Sequence, residues 1–456
     1  MSPAAGPAPA PAPSPAPAPA PARGGWRSAF ERHEAPRAPW LDGLRRAAME
    51  HFLAEGFPTP RHEDWLSTSL APLEQAQFSP LPLAPAPVGC AAIDPVLRAL
   101  PRAGRVVFVD GRLHAGLSAP LPAGVRVTPL EQALATRRDV LEPLLMLPPE
   151  EQEHPFVRLG TAFLGQGLLV EVEPGAALAE PLVLQHVRTK DVGPLALHPR
   201  TVVLAGERSR ATVFESFVGL GSGHDLTNAL TQVALAPGAR LEHLRVQREG
   251  YGTSHVGLLK ARVERDAALH AVVLCFGAAL ARLETDVALV GPGASAALDA
   301  LYVLDGARRA DLVSRVAHLV PHATSRQLVK GVLDGESRGA FTGRVRVAPG
   351  ALKTDARQGS HNLLLSPRAL VESRPQLEID ADDVKCSHGA TVGRLDATAL
   401  FYLRSRGIGE AQARQLLVHA FAAEVLSHLP DGLARGALDQ VLAGGLHEAI
   451  SPGRAP

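Results

Sequence analysis

The sequence predicts a mainly β chain with a mixed or helical region at either end. Three observations carry this. From residue 165 to residue 392 short β-branched or leucine-rich runs alternate with turn residues, and no long helical period interrupts them. A Pro-Gly-Ala turn recurs at Pro174, Pro237, Pro292 and Pro349, with Pro-Arg-Ala at Pro367, each followed by an extended run. At Gly393 the pattern switches to helix. Strand and turn units too weakly apolar to close a core alone are expected to stack as coils of a solenoid, which for strands is a β-helix. Alternation such as Arg344-Val-Arg-Val347, charges on one side and valines on the other, suits a β-sandwich equally well. Both architectures satisfy the pattern.

Elements outside that core follow from local signals. The first 22 residues are almost wholly Ala and Pro, which prevents a signal helix and predicts a disordered, polyproline-biased tail over residues 1–25. Over residues 26–164 the chain reads as a mixed, partly helical region. Leu41, Leu44, Ala48 and Phe52 recur at three- and four-residue steps, giving a helix that ends near Gly56. Phe57-Pro-Thr-Pro-Arg-His-Glu-Asp-Trp65 reads as a turn anchored by Trp65. Strand signals follow at Arg105 to Val109 and Val125 to Val127, and helical ones at Leu130 to Thr136 and Phe156 to Phe163.

Residues 393–452 form the second helical region. Asp396 suits an N-cap, Arg406-Gly-Ile-Gly409 breaks the first helix, and a second runs from about Glu410 to His428. Its apolar stripe, which includes Leu416, Leu417, Phe421 and Val425, is wide enough to demand burial against this chain or a partner.

Composition removes several function classes. Lys plus Arg number 46 and Asp plus Glu number 46, so no overall field draws the chain to nucleic acid or to an anionic membrane. The apolar run Ala267 to Ala281 is too short for a membrane span and contains His270. Three scattered cysteines, Cys90, Cys275 and Cys386, make a poor disulfide framework and point to a reducing, cytoplasmic setting. They are also too few to build a four-thiolate zinc or iron-sulfur site alone.

No catalytic engine is announced. Gly331-Val-Leu-Asp-Gly335 lacks the Lys-Ser/Thr of a phosphate loop, and H-E-x-x-H is absent. Gly335-Glu-Ser-Arg-Gly339 matches G-x-S-x-G, but a strand-like run follows it where a hydrolase elbow needs a helix. What remains is Leu377 to Val392. If extension runs through it with period two, Val384, Cys386, His388 and Ala390 share one side, and a thiol and an imidazole two residues apart are close enough to share a metal. Two ligands are an incomplete set. A core role for both residues is the structural alternative, and Asp382 and Asp383 read as solvated turn carboxylates or as supports of the site. A β-helix enzyme acting on polysaccharide, with Asp380, Asp382 and Asp383 as acid and base groups, is a competing class. Its aromatic-lined cleft is hard to build from a chain that is 4% aromatic.

Ser325-Arg-Gln-Leu-Val-Lys-Gly-Val-Leu-Asp-Gly335, Gly339-Ala-Phe-Thr-Gly343, Asn362-Leu-Leu-Leu-Ser-Pro367, Ala381-Asp-Asp-Val-Lys-Cys-Ser-His-Gly-Ala-Thr-Val-Gly393 and Ser405-Arg-Gly-Ile-Gly409 together resemble the core of the SufB/SufD family. Lys385-Cys-Ser-His-Gly389 resembles the SufD branch; SufB-like chains carry a Glu-His-Glu segment there. The resemblance implies a right-handed parallel β-helix with helical flanks, and a scaffold role, without catalysis of its own, in iron-sulfur cluster assembly. It further implies a SufB-like subunit and a SufC-like ATPase as partners, the latter engaging the C-terminal helices. Cys386 and His388 become the positions at the SufB interface, His388 the stronger, where a transient cluster shared with SufB forms and none stays on the isolated chain.

Overall fold

The computed structural model describes residues 24–34, 38–74, 76–79, 81–82, 84–89, 100, 104–145, 154–189, 193–429 and 433–450. Cys90 and nearly all of the Ala/Pro tail lie outside them. The chain alternates between two long sheets. Sheet A stacks Arg112–Leu113, Gly104–Val109, Leu182–Arg188, Arg210–Gly219, Arg240–Arg248, Ala268–Cys275, Ser295–Leu304, Thr324–Leu333, Asp355–Leu364 and Lys385–Gly393. Sheet B stacks Val125–Pro129, Gly167–Val172, Arg200–Ala205, Leu226–Leu235, Ser254–Val263, Leu280–Leu289, Arg309–His318, Arg338–Val347 and Leu370–Ile379.

Successive coils pair in parallel and in register, as in Thr324↔Asp355↔Lys385, so the chain is a parallel β-solenoid of about eight turns and not a sandwich. Among the described residues antiparallel pairing is confined to Arg112–Leu113 and Val125–Pro129, which start the two sheets, and to an isolated bridge between Arg105 and Ala119. Three strands of the N-terminal region, Gly104–Val109, Arg112–Leu113 and Val125–Pro129, therefore belong to the solenoid sheets.

The recurrent Pro-Gly-Ala units are the corners that lead from sheet B to sheet A. Gly238 and Gly293 adopt φ of 71° and 75°, a left-handed conformation that glycine takes without a Cβ clash. Corners also bond to one another: Gly238 N–H donates to Arg265 O, and Asp266 N–H to Pro292 O. A turn in one coil is thus templated by the turn beneath it.

Period-two alternation separates the lumen from the outer faces. Val345 and Val347 point inward, only 1% and 0% exposed, while Arg344 and Arg346 point outward, as the alternation predicts. One part of the lumen is a continuous apolar layer that includes Val213, Leu241, Leu269, Leu298 and Val316. Another part is polar. There Glu215 accepts Arg245 Nη2 at 2.7 Å and the hydroxyls of Thr201 and Thr231 at 3.0–3.1 Å. Burial alone would raise the Glu215 carboxyl, but Arg245 and His243 more than offset it and hold it well below its ordinary value.

Both outer faces are covered. Trp26, Phe52, Phe57, Trp65 and Phe163 of the N-terminal region pack with Leu226, Val256 and Leu280 of sheet B. The helix predicted to stop near Gly56 runs Asp42–Glu55, with Gly56 at φ 74° as its cap. At the other end helices Ala397–Ser405, Glu410–Ala423 and Leu433–Ile450 follow the solenoid; the third was not distinguished in the sequence. Val418, Ala422, Val425 and Leu426 pack on Val246, Leu274, Leu301 and Val332 of sheet A. Lys330, 3% exposed, fastens this region by donating to Phe421 O at 2.9 Å and to the Glu424 carboxylate.

Candidate functional site at the open end of the solenoid

The segment Leu377 to Val392 is two strands, not one extension. Leu370–Ile379 ends sheet B, residues 380–384 turn the corner, and Lys385–Gly393 ends sheet A. The chain has to turn there because each coil spends about ten residues on a face before it runs out of pairing partner. Asp382 and Asp383 lie in that corner, and Asp383 pairs with Lys353 of the corner below.

Side-chain direction at the last strand follows from register. Cys386 pairs with Ala356 and His388 with Gln358, both buried and inward-facing, so Cys386 and His388 also face the lumen. No later coil covers them. The side chains of this final layer are Val371, Ser373, Pro375, Leu377 and Ile379 from sheet B and Cys386, His388, Ala390 and Val392 from sheet A. Among these, heteroatoms come only from Ser373, Cys386 and His388.

The two predicted ligands sit in different surroundings. Cys386 is half-buried and packs with Val345, Val347, Ala356, Leu377 and Val384. That burial, with the Asp355 carboxylate nearby, pushes its thiol up from the ordinary value, so the thiolate that binds metals is disfavoured. His388 is exposed at the end of a polar column. Among the described residues no group of three or more His, Cys, Asp or Glu side chains converges to hold a metal ion. Cys386 and His388 are at most a partial set.

The strand that carries them has one free edge. Among the described residues Lys385–Gly393 pairs only with Asp355–Leu364, and the end of the solenoid exposes Leu370 at 51%, Ile379 at 42% and Val392 at 54%. Unpaired backbone groups flanked by apolar side chains are a template for pairing with another chain.

The predicted partner stripe divides in two. Leu416 is 47% exposed, and Leu417 and Phe421 are half-buried, with the Lys330 ammonium 4.1 Å from the Phe421 ring centre. Val425 does not face outward at all: the short 3-10 turn Glu424–Leu426 rotates it into the core against sheet A, where it is 0% exposed. The sequence reading missed Phe401 and Tyr402, exposed to 71% and 55% on helix Ala397–Ser405, which buries none of its residues. Two adjacent aromatics in so aromatic-poor a chain were the available signal.

The fold places the chain among parallel β-solenoid proteins with helical flanks. The chain belongs to the SufB/SufD family of the SUF iron-sulfur cluster system: the SufBD core domain matches residues 187–421 and the SufBD N-terminal region residues 27–184. Within it the chain is a homologue of SufD. It is 32% identical over 421 residues to the iron-sulfur cluster assembly protein SufD of Escherichia coli, covering 92% of this chain and 94% of that one. Identity is 28% to a SufBD family protein of Synechocystis, covering 88% and 90%, and 26% to the SufD of Bacillus subtilis, covering 89% and 93%. Among the described residues no helix is long and apolar enough to cross a membrane.

Proposed function

We propose that this chain is a non-catalytic scaffold subunit of a cytoplasmic SUF assembly complex, and that it offers the open end of its solenoid to a SufB-like subunit. One observation carries the reading. The last strand has a free edge, and its inward side chains include a Cys and a His that are insufficient alone. Edge pairing with the partner would satisfy the unpaired backbone groups and bury Leu370, Ile379 and Val392. The same contact completes a ligand set around a nascent iron-sulfur cluster, the cargo of the complex.

His388 is the ligand from this side. A neutral imidazole binds iron without first losing a proton, whereas Cys386 must give up a proton that its surroundings retain. Cys386 lines the contact. The helices after residue 396 engage a SufC-like ATPase, with Phe401, Tyr402 and Leu416 as the outward apolar groups and Leu417 and Phe421 at their margin. That partner hydrolyses the ATP, and the cluster leaves with its recipient instead of staying on this chain.

The test is reconstitution of the three-subunit complex with His388→Ala. The complex should elute intact while cluster formation, followed by visible absorbance and bound iron, is lost. Normal cluster formation on that variant removes His388 from the ligand set.

A further inference from the structure

The lumen beneath His388 contains a ladder of amides that ends one rung short. Leu298, Gln327, Gln358 and His388 occupy one register column of sheet A. Gln327 and Gln358 are 3% and 4% exposed. Ser314 Oγ donates to Gln327 Oε1, and Gln358 Nε2 donates to the same oxygen at 3.2 Å. Gln327 Nε2 is left buried without a partner, and the remaining polar atom of the Gln358 amide is Oε1. That oxygen is buried and has no hydrogen-bond partner. A buried acceptor left unpaired is costly, and native chains seldom tolerate one without a use.

The next position up the column is His388, one strand spacing or about 4.8 Å away. Lys385–Gly393 is the last strand of sheet A, and the other donors of the end layer, the Cys386 thiol and the buried, unpartnered Ser373 hydroxyl, stand in other register columns. Across the lumen Gly343 faces the amide, and a Cβ there would lie 2.0 Å from Gln358 Nε2, so glycine leaves the room this side chain occupies. Above Gly343 stands Pro375, whose side chain has no donor.

We propose that Gln358 is a positioning residue for His388: its Oε1 accepts one imidazole N–H, which holds the ring in one tautomer and turns the lone pair of the other nitrogen out of the open end. This rests on the reading of His388 as an iron ligand. A histidine ligates through one nitrogen, and a hydrogen bond from the other fixes tautomer and orientation and raises basicity. On a strand end with no coil above it, an unsupported imidazole has no such restraint.

The experiment uses the full chain without cluster or partner, labelled with 15N-histidine, at about pH 8.5 where free imidazole is neutral. The His388 signals are assigned by their loss in His388→Ala. In the wild type two-bond 1H–15N spectra should show one protonated and one unprotonated ring nitrogen. In Gln358→Met, which keeps length and loses the acceptor, the two shifts should move toward a common averaged value. Gln358→Glu should restore the single tautomer, and Ser373→Ala, removing the other oxygen of the end layer, should leave it unchanged. Gln358→Leu serves in place of Met should that variant fold poorly. Unaltered His388 shifts in a folded Gln358→Met or Gln358→Leu chain overturn the proposal. Because the readout needs no cluster, it is independent of whether His388→Ala abolishes assembly; that result judges the ligand reading alone.

Discussion

The guanidinium of Arg282 lies 3.7 Å from the centre of the Trp65 ring, with no solvent exposure of its own. This contact anchors the Phe57-to-Trp65 turn on the outer face of sheet B. Arg282 also donates to Glu284 at 2.7 Å and to Asp311, which the Thr68 hydroxyl reaches from the N-terminal side. Burial would raise the Glu284 carboxyl, yet Arg282, His154 and Arg315 together hold it well below its ordinary value. The motif is structural glue between the two regions.

Arg282→Leu would leave the buried Asp311 without its cation, while Glu284 keeps Arg315 and His154; breaking a buried pair from one side costs about 3–5 kcal/mol. Denaturant unfolding should show a loss of that size. Trp65→Ala should cost about 3–5 kcal/mol as well, through cavity formation. Wild-type stability in both variants would show that the N-terminal region does not depend on this contact.

His186 is stacked between Phe108 and Phe217, with ring centres 5.2 and 4.8 Å away and planes within 8°. Burial pushes its imidazole down to about 4. The unfolded ring titrates near 6.5, so the unfolded chain takes up its proton first as pH falls. The stability this site contributes is full above about pH 6.5 and is lost progressively down to about pH 4. His186→Phe keeps the stack without the titration. Its stability should fall less steeply across that window, by up to one proton or about 1.4 kcal/mol per pH unit, in urea midpoints measured against pH. Parallel curves for the two chains would refute the assignment.

Phe401→Ala with Tyr402→Ala should leave the unfolding midpoint within about 0.5 kcal/mol of wild type, since both rings stand in solvent, while abolishing capture of the ATPase subunit. Val425→Ala should do the reverse. It opens the core under the C-terminal region at a cost of about 2 kcal/mol and leaves the outward face unchanged. Undiminished ATPase capture by the double variant would move the partner surface elsewhere.

Gly331 and Gly389 make a matched pair of substitutions. A Cβ at Gly331 would lie 2.4 Å from both Asn362 Oδ1 and Tyr302 Cζ, inside the hydrogen bond those two side chains form in the lumen. Gly331→Ala should cost about 1–3 kcal/mol by overpacking. At Gly389 nothing stands within 4 Å, and Gly389→Ala should stay within about 0.5 kcal/mol of wild type. Thermal unfolding of both chains checks the difference; equal midpoints would mean the lumen can expand around Tyr302.

Much of this architecture is legible before folding. Turn chemistry repeats because every coil must make the same corner, so Pro237-Gly-Ala and Pro292-Gly-Ala mark it wherever glycine takes the left-handed position. Other corners place Arg208, Asp266 and His322 there, at φ of 56–61°, so those coils carry no Pro-Gly-Ala. Alternation alone leaves solenoid and sandwich open, because a strand such as Arg338–Val347 presents the same pattern in either; the family resemblance points to the β-helix, and the parallel register bears that out.

Local sequence by itself determined the strand and turn units, the helical ends and the presence of a Cys-x-His pair in a family-typical segment. These depend on φ preferences, side-chain period and residue identity, all of which act over a few residues. Tertiary structure alone decided that Leu377 and His388 lie on different sheets, that Val425 turns inward, that burial and Asp355 push the Cys386 thiol up, and that Gln358 stands under His388. Each of those depends on which coil stacks on which, a relation between residues about 30 positions apart that no short-range pattern encodes.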